Sequence, residues 1–286
     1  MGELTGRVAL ITGAAQGLGL AIAARFIAED ARVAMADLQS EKVTAAARRL
    51  DPQGRDAVGM VVDVTSAPSV AEMVEAAITR FGRLDLLVNA AGGSGTEVVG
   101  SIDDMTDEIW DSVIARNLRG TFLCCRAAVP HLRRSGGDAR ILNFSSGAVQ
   151  GVAGTSTIFA PLAYAAAKGG IHGLTGQLAK DPAATGIAVN VLQSGFVLTE
   201  PGARVRDHFD RMSEAERGEM LRHLKAPPRQ PDEVGWGVAY LMSARAKGLT
   251  GTTVRLTGKI AGLGLRLVPE GTSPFGPFAR LEPGPG

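Results

Sequence analysis

Short apolar runs alternate along this chain with amphipathic stretches, and small-residue turns separate them. Residues 7–12 (Arg-Val-Ala-Leu-Ile-Thr) are an apolar run bounded by Gly6 and Gly13, the pattern of a buried strand. Similar runs predict strands over residues 31–36, 57–62, 84–88, 139–144 and 187–192, with a short last one over 252–256. Helical periodicity fills the intervals: residues 20–29, 40–50, 68–81, 231–243 and a long stretch over 106–133. Ser40 caps the second of these, and Asp51-Pro52-Gln53-Gly54 stops it. Strands alternating with helices at this rhythm imply an α/β protein, a doubly wound parallel sheet with helices on both faces.

In such sheets ligands bind at the carboxyl ends of the strands, and the chemistry-bearing residues of this chain fall there. The first strand runs into Gly13-Ala14-Ala15-Gln16-Gly17-Leu18-Gly19 and then a helix. Glycines let the backbone approach a pyrophosphate closely, and a helix start offers N–H donors and a positive dipole end. The second strand ends at Asp37, about 20 residues past the turn, where an acid bonds the ribose hydroxyls of NAD. A carboxylate there repels the 2′-phosphate of NADP. Leu38 and Gln39 supply no compensating cation, and Gln16 is uncharged, so NAD is expected over NADP. Asp63-Val64 closes the third strand, where a carboxylate can accept from the adenine amino group. Asn89-Ala90-Ala91-Gly92 closes the fourth, and its small residues leave room for a ribose and nicotinamide. Gly93-Ser94-Gly95 reads as a mobile loop at the substrate mouth. Asn117 lies in the middle of the long helical stretch, which an Asn slightly disfavours. Ser145-Ser146-Gly147 follows the fifth strand.

Tyr164-Ala165-Ala166-Ala167-Lys168 adds a phenol and an amine at i and i+4, one face of a helix. An ammonium close to a phenol favours the phenolate and lowers a pKa that is ordinarily about 10. A phenol tuned in this way can take a proton from an alcohol or return one to an alkoxide.

Composition narrows the partners. The chain has 286 residues, a net charge of +1 and only 5% aromatic residues, so nothing steers it to nucleic acid or an anionic membrane. No apolar run reaches the length of a membrane span, and residues 1–6 carry no basic-then-apolar leader pattern, so a cytoplasmic protein is expected. Cys124 and Cys125 are adjacent, which makes neither a structural disulfide nor a metal site. His131, His172, His208 and His223 form no ligand motif and are read as surface or interface residues.

Thr12-Gly13-x3-Gly17-x-Gly19, Asp63, Asn89-Ala90-Ala91-Gly92, Asn117, Ser146 and Tyr164-x3-Lys168 follow one another in an order that resembles the short-chain dehydrogenase/reductase family, over residues 4–257. The resemblance implies a Rossmann-type sheet of about seven strands in the order 3-2-1-4-5-6-7. It implies Tyr164 as acid/base and Lys168 as the residue that lowers its pKa and binds the nicotinamide ribose. Ser146 would orient the substrate oxygen, and Asn117 would hold a water in a proton relay. Val197 and Thr199 match positions that contact the nicotinamide carboxamide. The expected activity is NAD-dependent interconversion of a secondary alcohol and a ketone; a non-catalytic dinucleotide-binding sensor or scaffold of the same fold is the alternative. A homotetramer or homodimer is expected. The chain divides into one domain over 1–260, with a substrate lid around 198–228, and a Gly/Pro-rich tail over 261–286 that is expected to lie extended on a surface. Three segments depart from the family pattern. The stretch between Ser146 and Tyr164 is long, Gln193-Ser194-Gly195 stands where Pro-Gly is common, and Thr257-Gly258-Lys259 replaces Asp-Gly-Gly.

Overall fold

The structure is a computed structural model that describes residues 2–95, 101–151, 162–195, 197, 199, 211–215, 217–218, 229–256, 265–273 and 276–283. Most of the expected lid, residues 152–161 of the long segment before Tyr164, and Thr257-Gly258-Lys259 lie outside the described residues. Strands β1 (Val8–Thr12), β2 (Arg32–Asp37), β3 (Ala57–Val61), β4 (Leu86–Asn89), β5 (Ala139–Ser145), β6 (Ile187–Gln193) and β7 (Thr253–Leu256) form one parallel sheet. Their order is β3-β2-β1-β4-β5-β6-β7, as the family resemblance implies. Two tail strands, β8 (Leu265–Ser273) and β9 (Gly276–Pro283), extend it: β9 runs parallel to β7 and β8 antiparallel to β9. The tail strands therefore lengthen the sheet, where an extended surface segment was expected.

The central strands are apolar on both faces because helices cover both. Along β1, Ala9 and Ile11 enter one core, and Val8 and Leu10 enter the other. The first core is closed by α1 (Gly17–Ala28), α2 (Ser40–Leu50) and α7 (Pro231–Met242), through Phe26, Val43 and Val238. The second is closed by α3 (Ala67–Phe81) and α5 (Gly120–Arg134), through Val74, Phe81 and Leu132. Local signals set these ends: Ser66 caps α3 by accepting from Ser69 N, and Gly82 stops it at φ +79°.

The long helical stretch over 106–133 is not one helix. It divides into α4 (Asp107–Ile114), a π-helical turn (Ala115–Arg119) and α5. The wider turn carries Asn117, which is fully buried. Helix α6 (Leu162–Leu178) packs on α4, on the π-turn and on β5 and β6.

Candidate active site

Register gathers the strand ends at one edge. Thr12 lies opposite Ala36 and Asn89, Asp37 opposite Val61, Asn89 opposite Asn143, and Ser145 opposite Gln193. The glycine turn opens here. Gly13 has φ +71°, and a Cβ on it would stand 2.8 Å from the backbone of Ala91. A Cβ on Gly19 would stand 2.1 Å from the Gly13 carbonyl oxygen, so only glycine lets α1 start this close to β1. Gln16 precedes the helix without a side-chain cap, and no acid occupies the first turn. By contrast, Ser66 and Thr106 cap α3 and α4. The start of α1, with Gly17 and Leu18, keeps backbone donors for an anion, so these residues fit a dinucleotide pyrophosphate.

Asp37 is nearly buried and already ordered. Its carboxylate accepts from Ala15 N at 3.1 Å and Gln39 N at 3.0 Å. Leu38 beside it is 68% exposed and offers no charge. Asp63 Oδ1 accepts from Thr65 N at 2.8 Å and Thr65 Oγ1 at 2.7 Å, while Val64 is buried behind it. The Asn89 amide is turned into the sheet: Nδ2 donates to Asn143 Oδ1 at 2.8 Å and to Cys125 Sγ at 3.3 Å. That leaves the Asn89 main chain, with Ala90 and Ala91, to face the crevice. Ala91 N donates to Thr12 Oγ1 at 3.2 Å. Val197 pairs with Arg229 in an isolated parallel bridge past β6, and Thr199 is partly buried nearby in sequence.

Four further residues converge beside the glycine turn. Lys168 on α6 is buried, and its Nζ donates to the Phe144 carbonyl at 2.9 Å and lies 5.5 Å from the Tyr164 ring centroid. A Cβ on Gly92 would meet that Nζ at 3.6 Å and Asn117 Oδ1 at 2.4 Å. The Asn117 amide holds the loop after β4 in both directions. Oδ1 accepts from Gly93 N at 3.0 Å, and Nδ2 donates to Gly93 O and Val113 O, each at 2.9 Å. Both amide protons are thus committed to backbone, and the Asn117 side chain clamps the loop after β4. Gly93 is held by it, although the glycine content suggested a loose loop. Ser146 half-caps the turn after β5, accepting from Ala148 N at 3.2 Å, and its hydroxyl is near enough to Tyr164 to favour the phenolate. Its neighbour Ser145 is buried and bonds α6 through the Lys168 carbonyl at 3.0 Å.

The electrostatics differ from the sequence expectation. Burial pushes the Tyr164 phenol above its ordinary pKa, and the neighbouring Ser146 hydroxyl opposes that rise. Burial likewise lowers the Lys168 amine to about 8. In the protein alone burial thus sets the direction for the phenol, while the Lys168 ammonium is turned onto Phe144 O.

Sequence reasoning also misread His172. It is buried one turn beyond Lys168, neither at the surface nor at an interface, and bonded to Ser145 and Thr253. Its i+4 spacing from Lys168 was the available signal. His131 is partly buried and pairs with Glu75 at 3.2 Å, whereas His208 and His223 lie outside the described residues. Cys124 and Cys125 are free and buried, and burial raises both thiols, Cys125 to about 12.

A doubly wound sheet with a glycine turn, a strand-end acid and a Ser/Tyr/Lys group at one edge defines a dinucleotide-binding oxidoreductase. The chain belongs to the short chain dehydrogenase family, whose pattern matches residues 7–209. It is 35% identical over 258 residues to D-threitol dehydrogenase of Mycolicibacterium smegmatis, covering 90% of this chain and 93% of that one. It is 34% identical over 252 residues to the 3-oxoacyl-[acyl-carrier-protein] reductase FabG of Staphylococcus aureus, covering 87% and 96%. Among solved structures, a short chain dehydrogenase from Burkholderia cenocepacia in complex with NADP superposes with a TM-score of 0.74 at 29% identity, covering 90% of this chain and 98% of that one. Among the described residues, no helix is long and apolar enough to cross a membrane.

Proposed function

We propose that this protein is an NAD(H)-dependent oxidoreductase that interconverts a secondary alcohol and its ketone. The observation that carries the reading is the buried Lys168, whose Nζ lies 5.5 Å from the Tyr164 ring centroid and is held by Phe144 O, at the same sheet edge as the uncapped glycine turn. Bound in that crevice, a nicotinamide ring supplies the hydride acceptor or donor. Tyr164 takes the alcohol proton in one direction and returns it to the oxygen in the other. Ser146 donates to the same oxygen as its charge changes. The Lys168 charge favours the phenolate against the burial that disfavours it. Asn117 acts on this site indirectly, by holding Gly93 so that Gly92 can pass close to Lys168.

The preference for NAD rests on Asp37. Its two oxygens already order Ala15 and Gln39, so a 2′-phosphate would meet a fixed anion, and Leu38 gives it no cation. The solved relative in complex with NADP does not bear on this residue pair directly, because the preference turns on local charge. The test is a 340 nm assay over a panel of alcohols and ketones with both cofactors. We expect turnover with NAD at least about tenfold more efficient than with NADP. Tyr164→Phe is expected to abolish turnover while NADH binding, read by fluorescence, persists. Tight NADH binding with no turnover of any compound by the unaltered enzyme would overturn the reading in favour of a sensor.

A further inference from the structure

A group of polar side chains lies beneath Lys168, outside the acid/base set. His172 is 4% exposed and sits one helical turn past Lys168 on α6. Its Nδ1 is 2.9 Å from Thr253 Oγ1 on β7, and its Nε2 is 3.2 Å from the Gln193 amide nitrogen on β6. Ser145 Oγ lies 2.8 Å from Nε2 and 3.0 Å from the Lys168 carbonyl oxygen, so its one proton is shared between them.

Hydrogen-bond bookkeeping selects one tautomer. Gln193 Oε1 accepts from Arg255 Nε at 2.6 Å, which turns the Gln193 NH2 group towards His172. An NH2 group can only donate, so Nε2 must accept and the ring proton must sit on Nδ1, where Thr253 Oγ1 receives it. The charged groups around the ring are Arg255 across Gln193 and Lys168 one turn away. Burial first, and the Arg255 charge second, lower the His172 pKa to about 4. Gln193 belongs to the segment where this chain departs from the family's Pro-Gly, and the departure supplies the amide that the arrangement needs.

We propose that His172, in its Nδ1–H tautomer, is a positioning residue: through Ser145, Gln193 and Thr253 it sets the height at which α6 presents Tyr164 and Lys168 to the crevice. Tyr164, Lys168 and His172 share one helix face at i, i+4 and i+8, so fixing the third fixes the first two. The end of β5 grips this face twice. Phe144 O holds the Lys168 ammonium, and Ser145 Oγ holds the ring. The inference rests on the oxidoreductase reading.

The test compares His172→Leu, His172→Gln and Thr253→Val with the unaltered enzyme. His172→Leu removes every polar partner; His172→Gln returns an acceptor at the position of Nε2. We expect His172→Leu to lower kcat by about tenfold or more, with little change in NADH affinity, because small displacements of positioned groups cost heavily in rate. The kcat pH profile should shift in the same variant. His172→Gln should restore most of both, and Thr253→Val should fall between. Unchanged kcat and pH profile in a folded His172→Leu would overturn the proposal. Should that variant not fold, 15N NMR of the histidines in the unaltered protein decides. The Nδ1–H pattern persisting between roughly pH 5 and 8 supports it, and an Nε2–H tautomer or an imidazolium in that range overturns it. Absence of turnover by the unaltered enzyme removes the oxidoreductase reading itself, whereas normal turnover with an Nε2–H ring removes only the positioning role.

Discussion

At the scale of single residues, the site is a balance between burial and charge, and Lys168 shows it best. Its amine loses a proton at about 8 in the folded protein against 10.5 in an ordinary setting. Between those values the unfolded chain holds a proton that the folded chain does not, so unfolding free energy rises with pH across the window. Below about pH 8 the charged amine is carried into the fold at a cost on the order of 3 kcal/mol. Lys168→Met removes that dependence and leaves a constant offset, since Phe144 O loses its donor at every pH. Denaturant melts of the two proteins from pH 7 to pH 11 should show the unaltered protein gaining on the variant by roughly 3 kcal/mol, mostly above pH 8. A flat difference would mean that the amine is not desolvated. The same proton matters for chemistry: once lost, it can no longer favour the Tyr164 phenolate.

At the scale of elements, the start of α1 decides whether the crevice can hold a phosphate. Gly19→Ala would drive a Cβ to 2.1 Å from a backbone oxygen that cannot swing aside. The turn must open, and NADH affinity by fluorescence titration should fall by at least about tenfold, with a loss of roughly 1–3 kcal/mol in stability. Gly173→Ala on α6 is the control, because a Cβ there meets nothing within 4 Å. It should leave NADH binding alone and add up to about 1 kcal/mol of helix stability. Equal effects from both would remove the steric account. This contrast also marks what a sequence can reveal. Strand ends and the glycine turn were legible because their signals are local: an apolar run, then a glycine in the left-handed region that most other residues avoid. The π-turn at Asn117 was not, and neither was the tie from Asn117 to Gly93, 24 positions away. The ties of His172 to Ser145, Gln193 and Thr253 span 27, 21 and 81 positions, and no periodicity encodes them. The β8–β9 hairpin was hidden for another reason, since glycine and proline obscure the alternation that announces a strand.

At the scale of the whole molecule, the two ends of the sheet do different work. The carboxyl end carries the residues proposed for chemistry, and the opposite end is held by a charge network. Asp85 there is 1% exposed, accepts from Val8 N at 2.9 Å, and takes Arg83 on both oxygens, the closest at 2.6 Å. Arg7 joins it to Asp138, which also accepts from Arg140 at 2.7 Å, and Arg140 reaches the Ala246 carbonyl at 3.1 Å. Arg7 precedes β1, Asp85 precedes β4 and Arg140 is the second residue of β5, so the network ties the starts of three adjacent strands. Asp85→Ala leaves the Val8 N–H without its acceptor and Arg83 with the Ser135 carbonyl, which it already reaches at 3.0 Å. Arg83 is 46% exposed, so water screens its freed charge, and the loss is mainly that of the Val8 N–H acceptor, about 1–3 kcal/mol. Chemical melts should register that loss. kcat at a temperature where the variant is folded should stay within about twofold of the unaltered enzyme, because the strands between the two ends are rigidly packed on both faces. A comparable fall in kcat in the folded variant would mean that the strand starts and the catalytic edge move together, and that the division of labour along the sheet is wrong.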